Sequence, residues 1–475
     1  MADIRFFFRP VDVDHMGAKG IDLGTYDGVK KSALAIYAHT APPNPDMPPD
    51  AAGQWTADRS QTFKNWIVNG YPVGTATPQV PGPSPVPDVP GARVRKNIAS
   101  LSAGEITALQ AAFTGVMARD ASQADSYFAI AGLHGKPGNW CLHHEDRFNP
   151  WHRVYLKQFE DALRSIPGCQ DLTLPYWDLT TPLPDLLQQP PFASYTLPQA
   201  VPGEPFPFTT VRNDPATITQ NLTDNGVFND ITTSLAQSLW GAYNLSGYQD
   251  FSIQAHDGGH VSIGPTMADQ DVASYDPVFW FYHCNLDRLW LQWQQKVGGT
   301  TLAGFKSTLS SGDTDWLSAP FNALPPSTTT ADESIAFGIS YDDGVAGAEK
   351  VALENKAGSI EAARTFSIKR SSPVSVRVKD IDRLSIPGSF VVSLLADGAP
   401  IAKRAFFQRK SPRDCETCKK LPLINIDFRV DPEEILDRKL SVAIDVPGQK
   451  EMGTQFPLAQ AGNPTINARL LLEDE

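Results

Sequence analysis

Hydrophobic positions recur with a helical period through the middle of the chain and with a strand period towards its C-terminal end. From about residue 97 to 345 the periodic stretches are mainly helical, and the first opens with the capping-box pair Ser102 and Glu105. Later runs such as 374–378 and 440–444 alternate between apolar and polar residues and are separated by Gly, Pro and Asp. The pattern predicts a mainly α protein: a helical bundle followed by a β-rich, sandwich-like C-terminal domain.

Proline-rich segments divide the chain further. An amphipathic helix begins at Ala57 and precedes a semi-rigid linker that runs from Pro78 to Pro90. Residues 181–215 combine many prolines with little periodicity, which predicts a long surface loop. We therefore divide the chain into an N-terminal extension with a linker, a helical domain and a β-rich domain that could act as a lid, over residues 1–90, 91–345 and 346–475.

Composition narrows the classes of protein. The 475 residues carry a net charge of −13 without a Lys/Arg block, which argues against nucleic acid as a partner. No stretch approaches the ~18 apolar residues that a membrane span needs, and the first residues lack the pattern of a signal peptide. We expect a cytoplasmic protein without a membrane partner; a homo-oligomer and export together with a partner remain open.

The five cysteines argue against a disulfide framework and suit a reducing compartment. Each cysteine therefore needs its own explanation. Cys169 and Cys284 lie in apolar contexts and are expected in the core.

Seven of the nine histidines fall into two clusters within the helical region. His256 and His260 are four residues apart, so one helix face presents both to a metal ion. His283 follows about two turns into an aromatic helix that opens at Asp276-Pro277, where a buried histidine needs a partner. The helix predicted for His256 and His260 also contains Gly258-Gly259, so packing or a ligand must override its low helix propensity.

The first cluster has a regular spacing. His134, His143 and His152 are separated by nine residues each, and Asn149-Pro150 begins a helix with His152 in its first turn. Histidine is a common metal ligand, so the two clusters together are candidates for metal binding.

These segments resemble the type-3 copper proteins, specifically tyrosinases and catechol oxidases. The resemblance implies two copper ions, one bound by His134, His143 and His152 and the other by His256, His260 and His283. It is carried by His134-Gly135, Cys141-Leu142-His143, Asn149-Pro150-Trp151-His152-Arg153, Phe159-Glu160, the H-x-x-x-H of His256 and His260, Gly264-Pro265-Thr266-Met267 and the segment from Asp276 to Trp290.

The implied activity is that of a tyrosinase, with small phenols and O2 as partners. Such an enzyme hydroxylates a monophenol at the ortho position and oxidises the o-diphenol to an o-quinone. Two alternatives remain, a catechol oxidase that lacks the hydroxylation step and a hemocyanin-like protein that binds O2 without turnover. A zinc site with three histidines is a more distant alternative.

Two residues beside the ligands are candidates for special roles. In part of the family, a cysteine placed like Cys141 is bonded through sulfur to the second ligand, here His143; the alternative is a buried free thiol. Asp257 occupies a position where many tyrosinases carry an asparagine that acts with a glutamate on the phenolic proton. Here that glutamate is missing, with Gln254 as the nearest polar substitute, so Asp257 either accepts the proton itself or orients His256.

The C-terminal region resembles that of fungal protyrosinases. Cys415 and Cys418 form a C-x-x-C that is implicated there in copper delivery. Phe406 and Phe407 resemble the aromatic residue that fills the substrate pocket of the latent enzymes. The alternative is a pair of phenylalanines in the strand core and a solvent-exposed dithiol.

Overall fold

The computed structural model describes most of the chain. The Pro-rich linker and the predicted boundaries at residues 90 and 345 lie outside the described residues. The described residues are 7–40, 47–48, 54–55, 57–68, 71, 93–138, 141–241, 247–309, 315–319, 321, 330–335, 338–343, 374–447 and 455–470.

Three helices form the N-terminal region: α1 (Pro10–Gly17), α2 (Tyr26–Thr40) and α3 (Ala57–Val68). The predicted helix at Ala57 is thereby confirmed. This region has a separate aromatic core, since Phe7, Trp55, Phe63 and Trp66 are all buried against one another.

Helices dominate the central region, as predicted. The capping box is present, with Glu105 N donating to Ser102 Oγ and Ser102 N donating to the Glu105 carboxylate. The helices are α4 (Ala103–Met117), α5 (Tyr127–His134), α6 (Phe148–Arg164), α7 (Pro215–Asp224), α8 (Val227–Ala236), α9 (Tyr248–Ile263), α10 (Val278–Val297), α11 (Leu302–Lys306), α12 (Asp315–Ser318) and α13 (Ala331–Ser334).

The segment 181–215 is irregular, as predicted, but it is not only a surface loop. It contains one short 3-10 turn, Asp185–Gln188, and its side chains Leu187 and Phe192 are fully buried in the central core. These buried positions could not be predicted from the apolar pattern. The Pro-rich backbone is irregular and buries side chains at irregular intervals, so no period marks them.

A short parallel pair of strands joins the two ends of the central region. β1 (Arg93–Arg95) pairs with β2 (Ile339–Tyr341) in register Arg93 to Ile339. Arg95, the last residue of β1, is fully buried. It forms ion pairs with Glu160 on α6 at 3.2 Å and with Asp287 on α10 at 3.1 Å. These contacts fix the two helices relative to each other, since a buried charge is costly without its partner.

Two antiparallel three-stranded sheets form the C-terminal region, which confirms the predicted fold class. One has the order β6-β3-β8 and the other β5-β4-β7, and buried side chains of both sheets form one hydrophobic cluster. The strands are β3 (Val374–Asp382), β4 (Phe390–Ala396), β5 (Ala399–Phe406), β6 (Leu423–Val430), β7 (Leu440–Asp445) and β8 (Thr465–Leu470), with short helices α14 (Glu416–Lys420) and α15 (Pro432–Ile435).

The C-terminal domain contacts the helical domain through β5 and the residues that follow it. Phe406 packs within the core of the C-terminal domain, whereas Phe407 belongs to the core of the helical domain. Among the helices that the structure describes, none combines the length and apolarity that a bilayer crossing requires.

Candidate metal centre

The first three histidines converge at the end of α5 and the start of α6. His134 is the last residue of α5, His143 lies in the following loop, and His152 is in the second turn of α6. All three are buried, and each offers a nitrogen within 4.8 Å of the other two. The Nε2 atoms of His134 and His143 are 3.3 Å apart.

The second three histidines converge where α9 crosses α10. His256 and His260 lie one turn apart on α9, and His283 faces them from α10. The Nε2 atoms of His260 and His283 are 3.0 Å apart, and the nitrogens of His256 and His283 also come within 4.8 Å of His152. The two groups therefore form one continuous cluster of six imidazoles, with His152 at their junction.

Close packing explains the two glycines on α9. A Cβ atom at Gly259 would lie 2.3 Å from the Tyr282 hydroxyl, and one at Gly258 would lie 2.7 Å from Val227 Cγ2. Both positions are therefore restricted to glycine so that α8 and α10 can approach α9. Packing overrides the low helix propensity here and brings His260 to His283.

Hydrogen bonds at Nδ1 turn the Nε2 atoms towards the centre of the cluster. His152 Nδ1 donates to the Phe148 carbonyl and His260 Nδ1 to the Met267 carbonyl, each at 2.8 Å. Nε2 of His152 is buried without a hydrogen-bond partner. An Nδ1–H that is held in this way leaves Nε2 as a lone-pair donor, the arrangement found in metal-binding histidines.

The electrostatics also fit a metal centre. Burial lowers the pKa of each of the six histidines, and the neighbouring imidazoles lower it further in His134, His143 and His283. The rings are therefore neutral at pH 7 and can donate lone pairs. The donor nitrogens form two overlapping groups, His134, His143 and His152 in one and His152, His256 and His283 in the other. His260 Nε2 joins them through its 3.0 Å approach to His283 Nε2. Six buried imidazoles match the preference of copper for nitrogen ligands. The residues present thus fit two copper ions.

Asp257 lies at the edge of the cluster and has three donors. Its Oδ1 accepts from His256 Nδ1 at 2.9 Å, and its Oδ2 accepts from His144 Nε2 at 3.0 Å and from the Phe407 backbone N–H at 3.1 Å. Burial alone would raise the pKa of Asp257, but the electrostatic attraction of His144 and the hydrogen bonds from His144 and His256 hold the pKa well below its ordinary value. The carboxylate is therefore ionised and accessible to a donor at the position of Phe407.

Phe407 fills the space over the second histidine group. Its ring stacks on His260 with a centroid distance of 4.0 Å and meets His143 and His256 edge-on at 5.4 and 5.5 Å. Phe406 instead stacks on His144 at 4.5 Å. Of the two candidates, only Phe407 is therefore placed where an aromatic substrate would stack.

Two basic residues that follow Phe407 pair with acids of the helical domain. Arg409 contacts Asp271 at 2.6 Å, and Lys410 contacts Asp269 at 2.7 Å. Asp271 is 1% exposed in its side chain, so this pair is shielded from water and screened less than a surface pair. We call these two ion pairs the latch. The latch was not predicted from the sequence. Arg409 and Asp271 are 138 positions apart, and no sequence pattern connects them.

Cys141 is buried near His143, and its Sγ accepts a hydrogen bond from Gln270 Nε2 at 3.2 Å. Burial raises the pKa of its thiol to about 12. The thioether to His143 stays a prediction. Cys169 and Cys284 are buried in the central core, as expected.

Cys415 and Cys418 form a disulfide, and both are buried. The alternative of a solvent-exposed dithiol is therefore wrong. Only two residues lie between these cysteines, so the bridge is local and does not form a disulfide framework. The pair lines a cavity of about 160 Å³ together with Cys141 and His143.

Gln254 does not lie beside Asp257 at the histidines. It faces away from the metal centre, into a cavity between the two domains that Asn229 and Arg404 also line. The sequence could not show this, because residues three apart on a helix diverge by about 60° and small rotations decide which surface each one meets.

Buried histidines of the helical bundle form two overlapping groups of three that offer donor atoms for a metal ion, with His152 in both. Residues 124–226 and 207–296 match the family model of the common central domain of tyrosinase. The matched residues include all six histidines.

The sequence relatives include molluscan hemocyanins. The chain is 33% identical over 227 residues to the hemocyanin β-C chain unit D of Helix pomatia, which covers 42% of this chain and 51% of that unit. It is 31% identical over 236 residues to the G-type hemocyanin of Enteroctopus dofleini, which covers 44% of this chain and 8% of that protein. The chain thus spans about half the length of the first relative and far less of the second.

Solved structures share the fold. A tyrosinase from Burkholderia thailandensis superposes with a TM-score of 0.58 at 19% identity, over 80% of this chain and 100% of that one. A functional unit of Octopus hemocyanin superposes with a TM-score of 0.56 at 21% identity, over 79% and 99%. These likenesses show the fold, which tyrosinases and hemocyanins have in common.

Proposed function

We propose that this protein is a tyrosinase, which hydroxylates monophenols and oxidises o-diphenols to o-quinones, and that its C-terminal domain keeps it latent. The observation that carries the proposal is the stacking of Phe407 on His260. A space over a ligand histidine that accepts the ring of a phenylalanine also accepts the ring of a phenol. The bound copper pair would activate O2 and take up electrons from the phenol.

The chain's own residues bind, orient and shield the substrate. His260 offers its ring face to an aromatic substrate, and the carbonyls of Phe148 and Met267 hold the ligand imidazoles in place. Asp257 Oδ2 is a candidate acceptor for the phenolic proton, since it is ionised and already receives a hydrogen bond from Phe407. When the C-terminal domain moves away and takes Phe407 with it, Asp257 Oδ2 loses the hydrogen bond from the Phe407 N–H. A phenol hydroxyl that enters this space can then donate to the same oxygen.

Two other functions are distinguished by assay. A hemocyanin-like O2 carrier is favoured by the sequence relatives, which are the hemocyanins of Helix pomatia and Enteroctopus dofleini. A catechol oxidase would share the whole site. Copper-loaded protein from which Phe407 has been removed should oxidise both a monophenol and a diphenol; a catechol oxidase would act on the diphenol alone, and an O2 carrier would turn over neither.

Asp257→Asn should lower monophenol hydroxylation about 100-fold, the range expected when a general base is lost, and leave diphenol oxidation within about threefold. The amide keeps the shape of the carboxylate but cannot take up the proton. The rates should be compared in the Phe407→Ala background, so that the Phe407 ring does not limit access of either substrate. Equal losses with both substrates would mean that Asp257 only orients His256.

Cys141 should be joined to His143 in copper-loaded protein. A thioether removes two hydrogens, so the peptide that contains both residues should be about two mass units lighter than its sequence. The two buried thiols Cys169 and Cys284 serve as matched controls, since they should stay unmodified and react with an alkylating agent after unfolding. A Cys141 that is alkylated as completely as these two would disprove the bond.

Cys415 and Cys418 are proposed to deliver copper. Thiolates bind Cu(I) well, and this pair shares a cavity with His143, so an ion could pass between them once the disulfide is reduced. The double change Cys415→Ser and Cys418→Ser should lower copper uptake during folding without changing the rate of enzyme that is already loaded. Cys169→Ser is the control. Unchanged uptake in the double variant would refute delivery by this pair.

A further inference from the structure

A second cavity lies between the two domains, away from the histidines. It measures about 400 Å³, within the range of roughly 300–1,000 Å³ that is usual for small-molecule sites. One wall comes from α8 and α9 of the helical domain, and the other from β3, β5 and β6 of the C-terminal domain. Its lining is Asn229, Asp230, Thr232, Thr233, Gln237, Phe251, Gln254, Ser375, Arg404, Asp427 and Arg429.

Two buried atoms of this lining lack a hydrogen-bond partner. Asp230 and Arg404 form an ion pair of 3.0 Å across the domain boundary through Oδ1 and Nη2. Asp230 Oδ2 and Arg404 Nε are both buried without a partner among the described residues. Buried polar atoms of this kind call for a water, an ion or a ligand, because leaving them unpaired destabilises the fold.

Both acids of the lining are already paired. Asp230 forms an ion pair with Arg404, and Asp427 forms one of 3.0 Å with Arg377, which lies outside the lining, so neither acid is available to balance a cationic ligand. The remaining charged residue of the lining, Arg429, is exposed to solvent. What is left is hydrogen-bonding capacity: one free acceptor at Asp230, one free donor at Arg404 and the amide of Gln254. A hydroxyl group can accept from a guanidinium N–H and donate to a carboxylate at the same time.

We propose that this cavity binds a small neutral polyhydroxylated molecule, a sugar or polyol. Amide, hydroxyl and paired ionic side chains match its hydroxyl groups, and Phe251 offers the one aromatic face on which the C–H side of a sugar ring can pack. One water takes up only about 30 Å³, so a single water leaves most of the cavity unfilled. No residue of the metal centre is involved.

The position of the cavity links binding to latency, a consequence that rests on the proposed function. Arg404 lies on β5, three residues before Phe407, and Asp230 lies on α8, which packs against the helix of His256 and His260. A ligand that bridges the two walls binds only while the domains are docked. It therefore favours the state in which Phe407 covers His260.

Binding is tested on the full-length protein by saturation-transfer NMR with D-glucose and with D-sorbitol, with gluconate and glucosamine as their charged counterparts. We expect saturation transfer to at least one neutral probe and to neither charged one. Asn229→Trp, which fills the cavity from its exposed rim, and Gln254→Ala should abolish it. Ala236→Trp is the matched control, because it places the same ring on an exposed position of α8 outside the cavity.

Transfer to no neutral probe, or equal transfer in all four proteins, would overturn the binding site and leave a cavity that holds water only. These outcomes do not depend on enzymatic activity, so they are separate from a failure of the proposed function. The link to latency is tested by turnover. The bound sugar should lower diphenol oxidation at least twofold in the parent and in Ala236→Trp, but not in Asn229→Trp. Binding without this loss would overturn the link.

Discussion

Replacing Phe407 with alanine should raise diphenol oxidation by the full-length protein about tenfold or more. The ring stacks on His260 at 4.0 Å and excludes a substrate from the same space, so its removal relieves competition within the molecule. A tenfold gain corresponds to about 1.4 kcal/mol of differential binding, which is close to the lower end of the roughly 1.5–3 kcal/mol that burial of a phenylalanine side chain contributes. The measurement is the initial rate of quinone formation at equal copper content.

Phe407→Leu is the matched control, since it keeps an apolar side chain of intermediate size over His260. Its rate should fall between those of the parent and the alanine variant. Phe406→Ala should act differently, because Phe406 packs on His144 and Phe390 and its loss weakens the C-terminal domain instead. If Phe407→Ala leaves the rate unchanged while copper content is equal, Phe407 does not limit access to the centre.

His283→Ala should abolish quinone formation and lower copper binding from two ions to one or fewer per chain. His283 Nε2 faces His260 Nε2 at 3.0 Å and lies within 4.8 Å of the donor atoms of His152 and His256. Removal of His283 leaves one copper ion with only two nitrogen ligands. Quinone formation then stops, because it needs both copper ions. Metal content by elemental analysis and the rate of diphenol oxidation give the result.

His39→Ala is the control for this change. His39 is an exposed residue in the last turn of α2, outside the helical domain, so its loss should change neither copper content nor rate. Two coppers retained after loss of His283 would show that the ligand set is wrong.

The fold class could be predicted because periodicity is a local signal, whereas the convergence of the six histidines was implied by the resemblance to the type-3 copper proteins. The i,i+4 pair of His256 and His260 indicates one helix face, and the Asp276-Pro277 pair marks the start of α10. The structure begins that helix one residue later, at Val278, whose N–H donates to Asp276 Oδ1 at 3.1 Å. Alternating runs likewise located β3, β4 and β7.

Contacts between distant segments could not be predicted. The buried pairs of Arg95 with Glu160 and Asp287 join residues that are 65 and 192 positions apart. The latch of Arg409 on Asp271 likewise depends on how the two domains dock. The sequence alone does not show whether a charged side chain is exposed to solvent or buried in an ion pair, because this depends on how the folded segments pack.

The resemblance named Phe406 and Phe407 together but could not choose between them. Side chains alternate across a strand, so neighbours at the end of β5 point in opposite directions. Phe406 therefore turns towards the C-terminal core and His144, and Phe407 turns towards His260. A single step in register separates a structural phenylalanine from one that covers the metal centre.

The most direct test is the metal content of the full-length protein after it has been supplied with copper and zinc in equal amounts, measured together with diphenol oxidation by the Phe407→Ala variant. Two coppers per chain and quinone formation that needs both of them are the predicted result. One zinc per chain would contradict the assignment as a phenol-oxidising dicopper enzyme. So would two coppers that bind O2 reversibly while the Phe407→Ala variant oxidises no phenol.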